Sequence, residues 1–295
     1  AWLKCHEPAA FCAALLNSQP MGFYAPAQLV QDAQRHGVEV LPVDVQASDW
    51  HCALERGSGT EALLRLGLCR VKGFNEDAAA RLVTARVCGV FDDVADLARR
   101  ALLDRRELDA LAAAGALKSL ATHRHRARWE VAGVEAAMPL FEAPRFSEGE
   151  PLLRTPLEGE DIINDYARLG LTLERHPLAL LRSRLTAMRF RTAAQLLQLK
   201  DGAPVRVAGI VVNRQRPGTA KGVTFMTLED ETGQMNIILW RRITERQRRI
   251  FLDARLLGVA GILQRQGAVM HLVAGNLEDH TPLLGGLMTR SRDFH

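Results

Sequence analysis

Five strand-like segments between residues 203 and 280 constrain the fold of this chain more than any other feature. Three successive strands are predicted by PVRVAGIVVNRQ, TAKGVTFMTLED and GQMNIILW, because each is rich in β-branched and apolar residues and is bounded by turn residues. Two more are predicted by RLLGVAGILQRQ and AVMHLVAGNLED, and the helix-like RRITERQRRIFLDA separates the two groups. Three strands, a helix and two further strands follow the order of a small Greek-key barrel.

This order is that of the OB fold, which binds oligonucleotides across strands two and three and through the loops between strands one and two and strands four and five. The first of these loops, NRQRPGTAKG, is basic, so its cations can contact phosphates, and an exposed ring nearby can stack on a base. The candidate DNA-binding residues of the barrel are Arg206, Arg214, Arg216, Lys221, Phe225 and Trp240. Alternatively, the loop cations are a solvated hairpin tip, which is equally open, and the two rings fill the barrel interior, which we favour.

An acidic turn joins the second and third predicted strands. Glu229, Asp230 and Glu231 precede Gly233, and no neighbouring residue completes a set of metal ligands. We therefore predict a surface turn and no metal site.

A second motif lies at LCRVKGFNEDAAARLVTAR, where a tight turn leads into an alanine-rich helix. This pattern is typical of a helix-hairpin-helix motif, whose backbone N–H groups point at a DNA phosphate. The candidate DNA-binding residues here are Arg70, Lys72, Gly73 and Asn75, and Asn75 is also suited to cap the helix. Residues 103–120 predict a second unit of this kind that ends at Gly115, and packing of the two units on each other is the alternative role.

Composition limits the class of protein. A chain of 295 residues is long enough for several domains, and its net charge of +4 permits a nucleic-acid partner without requiring one. Five cysteines without a C-x-x-C pair predict neither a disulfide framework nor a thiolate metal site. Without a long apolar run or a leader-like start, the sequence predicts a cytoplasmic protein with no membrane partner.

Several segments, in order, resemble one family. AWLKCHEPAAFCAALLNSQPMGFY, RHGVEVLPVDVQASDW, LGLCRVKGF, LDRRELDALAAAGAL, LGLTLERHPL, RQRPGTAKGVTFMTLEDETG and SRDFH look like the C-terminal part of a bacterial family C DNA polymerase. RPGTAKGV and SRDFH are similar to the error-prone, ImuC-like DnaE branch. We therefore expect an α+β multi-domain fold. Its predicted regions are the end of the polymerase fingers (1–66), a tandem helix-hairpin-helix region (67–120), a linker (121–158), a helical connector (159–200), a five-stranded OB-fold barrel (201–282) and a tail (283–295).

The resemblance also implies where the chemistry lies. In this family, palm aspartates hold the two Mg²⁺ ions that catalyse nucleotidyl transfer. Those aspartates are expected upstream of Ala1, so we predict no catalytic residue and no cofactor in this chain, which should not polymerise alone. The expected role is to bind single-stranded template and primer-template duplex for translesion synthesis and damage-induced mutagenesis, and to recruit an inactive Y-family polymerase and a RecA-like accessory protein.

A sliding-clamp partner is suggested by AMPLF, in which Met138, Leu140 and Phe141 could enter an apolar groove, although Ala137 stands where such motifs carry Gln. Docking of this segment on neighbouring helices is the favoured alternative. Two other functions stay open. One is a non-catalytic single-strand or junction binder like the Holliday-junction protein RuvA, whose barrel however precedes its hairpins; the other is a protein-interaction scaffold.

Overall fold

The computed structural model describes residues 2–21, 24–57, 62–134, 153–217, 222–267 and 269–285, which fall into two compact units, 1–173 and 174–295. Among these residues, no helix has the length and apolar character needed to cross a membrane. The first unit is mainly helical and the second contains the barrel.

The first unit has nine helices within its described part. They are α1 (Trp2–His6), α2 (Pro8–Asn17), α3 (Pro26–Arg35), α4 (Glu76–Val87), α5 (Val94–Ala101), α6 (Arg105–Ala114), α7 (Lys118–Ala121), α8 (Arg124–Gly133) and α9 (Glu158–Arg168). A three-stranded sheet, β1 (Val40–Leu41), β2 (Ala53–Arg56) and β3 (Ala62–Arg65), has the order β1-β3-β2. β1 is only two residues long, because Pro42 follows it and cannot donate to a ladder.

Side-chain caps begin the helices around the two predicted hairpins. Asn75 accepts a hydrogen bond from the Ala78 N–H (2.8 Å) at the start of α4. Asp104 and Glu107 form a reciprocal capping box at the start of α6, and α6 ends at Gly115 with φ of 78°. The two hairpin units bury their helices in one common core, as the packing interpretation predicts.

The structure differs from the predicted linker at α8. Arg124, at the start of this helix, is only 2% exposed and donates to Asp161 and Asp165 of α9 and to the Ala114 carbonyl. Residues 124–133 therefore belong to the packed helical unit. The sequence pattern placed these residues in the linker because the two carboxylates that pair with Arg124 lie more than 30 residues further along the chain.

The second unit contains the predicted barrel. Its elements are α10 (Pro177–Ala187), α11 (Ala193–Leu196), β4 (Pro204–Gln215), β5 (Thr224–Asp230), β6 (Gly233–Leu239), α12 (Arg241–Arg246), α13 (Arg248–Asp253), β7 (Leu256–Gln266) and β8 (Val269–Asp279). The barrel is closed in the order β4-β5-β6-β8-β7, with only β6 and β8 parallel. The expected fold class, a helical hairpin region followed by a five-stranded OB barrel, is confirmed.

Alternating side chains fill the barrel interior. Met226 and Leu228 of β5 and Ile237 and Leu239 of β6 are buried in one apolar cluster. Successive residues of a strand point to opposite faces, so the residues between them must point outward. This alternation decides which side chains of β5 and β6 can meet a ligand.

Candidate nucleic-acid interface

The outer face of β5 and β6 presents two aromatic rings to solvent. Phe225 is 39% exposed and Trp240, directly after β6, is 56% exposed. Phe225 pairs with Ile238 across the two strands, and Trp240 lies two residues beyond Ile238 on the same face. Our favoured interpretation, that both rings fill the interior, is therefore wrong. Met226 and Leu239 occupy the inward positions next to them, which leaves Phe225 and Trp240 only the outer face.

Uncharged amide side chains surround these rings. Gln215 of β4 lies opposite Phe225, and Asn213 lies opposite Thr227, which in turn pairs with Asn236 of β6. Gln215, Asn213 and Asn236 are exposed. An amide can both donate and accept, so this face can hydrogen-bond the edges of bases as well as stack on them. The sequence analysis did not identify these amides as candidate binding residues. Their alternation with apolar residues along the strands, such as Asn236 between Met235 and Ile237, would have predicted that they face outward.

Cations lie at the edge of this face, where β4 ends and α12 begins. Arg216 is exposed directly after β4, whereas Lys221 lies outside the described residues. At the other end of the loop, a Cβ added to Gly222 would lie 3.2 Å from Cδ of Arg241, so the stem of Arg241 packs against the backbone there. The Arg241 guanidinium is held by Glu245 at 2.7 Å. The exposed residues of this face on β5 and β6 are uncharged, and Arg216 and Arg241 lie at its rim.

Two predicted cations are committed to other contacts. Arg214 is in register with the inward-pointing Met226 and donates to the Ala254 carbonyl at 2.5 Å, so it does not share the face of Phe225. Arg206 pairs with Glu278, its Nη2 lying 2.9 and 2.8 Å from the two carboxylate oxygens. The Arg206 guanidinium also lies 4.6 Å from the centre of the Phe190 ring. The structure thus separates Arg206 and Arg214 from the aromatic face.

The acidic turn is buried, which corrects the predicted surface turn. Asp230, 1% exposed, accepts from the backbone of Thr232 and Gly233 and from the Ala193 N–H of α11. Glu231 pairs with Arg182 of α10. Burial is the largest single influence on the pKa of Glu231 and raises it. The hydrogen bond and charge of Arg182, a backbone hydrogen bond and the nearby His176 together outweigh burial and lower this pKa. The turn is acidic because it ties the β5–β6 hairpin to the preceding helices.

In the first unit, the predicted hairpin is partly occupied by its own chain. Gly73 adopts φ of 88°, as a tight turn requires, and Asn75 caps α4. The backbone N–H of Lys72, however, donates to the Arg168 carbonyl at 2.9 Å, and its ammonium donates to the Ala167 carbonyl at 3.0 Å. The carbonyl end of α9 therefore accepts hydrogen bonds from both donors of Lys72 that could otherwise contact a phosphate. Arg70 lies on the short 3₁₀ helix before the turn and is half-buried.

Neither the clamp-like segment nor a metal site can be located in the described structure. Met138, Leu140 and Phe141 lie outside the described residues. In the described part of the chain, no three His, Cys, Asp or Glu side chains are grouped closely enough to hold a metal ion.

Two family models match the chain. The helix-hairpin-helix motif matches residues 37–127, and the OB-fold nucleic acid binding domain matches residues 205–279. The first match begins before the predicted hairpins and extends into α8, in agreement with the packed helical unit.

Several bacterial proteins that share one name are similar to this chain over its whole length. The error-prone DNA polymerase of Alkalilimnicola ehrlichii is 59% identical over 295 residues, which are 100% of this chain and 29% of that protein. The error-prone DNA polymerase of Methylococcus capsulatus is 57% identical over 312 residues, 100% of this chain and 30% of that protein. Asparaginyl-tRNA synthetase from Pyrococcus horikoshii, complexed with asparaginyl-adenylate, is 21% identical over 31% of this chain and 22% of that chain at a TM-score of 0.27, which supports no conclusion. The chain spans less than a third of the length of these polymerases, and it corresponds to the C-terminal part of the error-prone DNA polymerases, with a helix-hairpin-helix region followed by an OB-fold barrel.

Proposed function

We propose that the outer face of β5 and β6 binds single-stranded template DNA for an error-prone DNA polymerase that acts in translesion synthesis and damage-induced mutagenesis. The observation that supports this most directly is the exposure of Phe225 and Trp240 on one strand face of a nucleic-acid-binding fold. Diagonal neighbours on paired strands lie roughly 7–8 Å apart, so two bases can each meet one ring.

The electrostatics of the face suit a strand that passes over it. None of the exposed residues described on the outer faces of β5 and β6 is acidic, and Arg216 and Arg241 lie at the rim. Phosphates would meet the rim arginines while bases lie on the rings and amides. Because every base has a π-face, this arrangement favours sequence-tolerant binding, as a polymerase that copies damaged templates requires.

The rest of the proposal concerns the parent enzyme. We assign residues 1–66 to the end of the fingers and place the Mg²⁺-dependent palm upstream of Ala1, so this chain would hold DNA for chemistry performed elsewhere. The helix-hairpin-helix region is a second DNA contact, to primer-template duplex, and it would require α9 to release Lys72. The sliding clamp, an inactive Y-family polymerase and a RecA-like protein remain proposed partners in the cytoplasm, supported only by the resemblance.

The test is a fluorescence-anisotropy titration of the chain with a labelled oligothymidylate of about 16 nucleotides, the upper site size of one OB fold. Loss of one stacking ring corresponds to ~1–3 kcal/mol, so Phe225→Ala and Trp240→Ala should each weaken binding about 5- to 150-fold. Arg216→Ala should lower the slope of log K against log salt by about 0.7, the contribution of one phosphate contact to a single strand.

Trp2→Ala is the matched control, since Trp2 is a 66% exposed tryptophan of the helical unit. It should leave oligothymidylate affinity unchanged. Wild-type affinity in both Phe225→Ala and Trp240→Ala would refute the proposed face.

A further inference from the structure

A groove of about 830 Å³ lies on the barrel away from the aromatic face. The turn after α10, the first residues of β4, and the outer surface of β7 and β8 form its walls and floor. Ligand clefts in proteins have volumes of about 300–1,000 Å³, so this groove is large enough for a bound segment. The proposed template face, on β5 and β6, does not contribute to it.

The rim of the groove is strongly cationic. Arg189, Arg191 and Arg206 line it, and its lining holds no carboxylate among the residues that the structure describes. Arg206 is neutralised by Glu278. Arg189 and Arg191 are exposed, and neither guanidinium has an ion-pair partner within the described residues. Arg189 and Arg191 can therefore bind an anionic ligand on one side of the groove.

The floor is shallow and apolar. Ala260, Gly261 and Gly275 lie where a β-bulge interrupts the pairing of β7 with β8. One methyl group and two glycines without side chains leave a depression there. Ile262, 45% exposed, stands beside this depression. A narrow extended chain with an aliphatic side chain matches this shape, because the small residues let a backbone approach closely.

Stacking groups for a nucleic acid are missing from the described lining of the groove. Its one aromatic residue, Phe190, is 3% exposed. The guanidinium of Arg206 covers its ring and the edge of His280 packs at 5.1 Å between centroids. No exposed ring of the described lining is therefore available for a base to stack on. An arginine guanidinium, by contrast, can bind a carboxylate through two parallel N–H groups. Charge and shape together favour an acidic peptide over a nucleic acid.

We propose that this groove is a docking site for an extended acidic peptide segment of a partner protein, with carboxylates on Arg189 and Arg191 and an aliphatic side chain over the Gly275 depression. The site goes beyond the template-binding function, because it lies on other strands and uses none of the same residues. A protein partner could thus occupy the barrel while DNA lies on β5 and β6.

The test uses the full chain and a fluorescein-labelled peptide in which aspartates alternate with leucines. Its charge-reversed counterpart, with lysines for the aspartates, is the control probe. The double variant Arg189→Glu with Arg191→Glu should weaken binding of the acidic peptide by at least about tenfold. The control is Arg184→Glu, since Arg184 is also an exposed arginine, lies on α10 and does not line the groove. This change should alter peptide binding less than about twofold.

Gly275→Val tests the floor independently of charge. A Cβ at Gly275 meets only the Ala260 carbonyl oxygen, at 3.5 Å, and this glycine does not adopt a positive φ, so valine fits the strand while filling the depression. It too should weaken peptide binding about tenfold. Thermal unfolding of each variant shows that the fold is retained.

Three outcomes would overturn the docking site. One is equal binding of the acidic and charge-reversed peptides, and another is an acidic-peptide affinity that neither the arginine variant nor Gly275→Val reduces. The third is a loss of oligothymidylate affinity in the arginine variant as large as its loss of peptide affinity, which would make the groove a DNA contact. Retention of oligothymidylate binding with loss of peptide binding supports the proposal, and neither result depends on Phe225 or Trp240.

Discussion

Replacement of Asp230 by alanine should loosen the hairpin that carries the proposed template face. Its buried carboxylate accepts from the N–H groups of Thr232 at 2.8 Å and Gly233 at 3.0 Å, and from that of Ala193 at 2.8 Å. Without it, the buried Ala193 donor is left unsatisfied, at a cost of ~1–3 kcal/mol. The other two donors are partly exposed and can hydrate, so each loses only ~0.5–1.5 kcal/mol.

These losses sum to about 2–6 kcal/mol, with a central value of about 4 kcal/mol, and the effect should be local to the barrel. Hydrogen exchange followed by mass spectrometry measures it peptide by peptide, and residues 224–239 should exchange more than about 100-fold faster. Asp230→Asn is the matched variant, because it keeps an acceptor for the turn. It loses the bond to Ala193 and the negative charge that lies 3.6 Å from Arg182, so about 1–2 kcal/mol is expected.

Two results would refute this reasoning. Unchanged exchange of residues 224–239 in Asp230→Ala would mean that the carboxylate does not hold the hairpin. Equal acceleration in peptides of residues 1–173 would mean that the effect is not local.

Three further predictions concern stability. Gly67→Ala should destabilise the helical unit by ~1–3 kcal/mol, because its Cβ would lie 2.3 Å from the His51 carbonyl carbon; calorimetry of the first unit's transition checks this. Arg124→Met should cost ~3–5 kcal/mol by leaving buried carboxylates unpaired, and adding Asp165→Asn should recover part of it in urea unfolding. Since folding lowers the pKa of Glu231 below its ordinary 4.5, its contribution is complete above that pH and disappears as pH falls through the folded value, so Glu231→Gln should flatten barrel stability measured below pH 4.5.

The orientation of the two rings was contained in the sequence. Met226 and Leu228 alternate with Phe225 and Thr227, and an inward methionine forces the neighbouring phenylalanine outward. The interior interpretation failed because it weighed the apolar character of the rings above their position in the alternation. The outward position of Trp240 follows in the same way, because Ile238 pairs with Phe225 and Trp240 lies two residues beyond Ile238.

The sequence alone did not show which partners the arginines contact. Arg206 meets Glu278, which is 72 residues away, and Arg214 meets the carbonyl of Ala254, 40 residues away. Arg124 likewise falls in the predicted linker, whereas in the structure it donates to Asp161 and Asp165 of α9. A local pattern shows that a residue is charged, but whether that charge is free or paired depends on which distant segment lies next to it.

By itself, the sequence determined the strand order of the barrel, the capped helices of the hairpin region and the resemblance to error-prone DNA polymerases, because these follow from short-range periodicity, capping and order along the chain. Only the tertiary structure decided which cations of the described chain remain exposed, that the acidic turn is buried, and that a groove with two exposed arginines lies over the bulge between β7 and β8. Ion pairs and grooves arise where distant segments meet, and barrel closure is what brings those segments together.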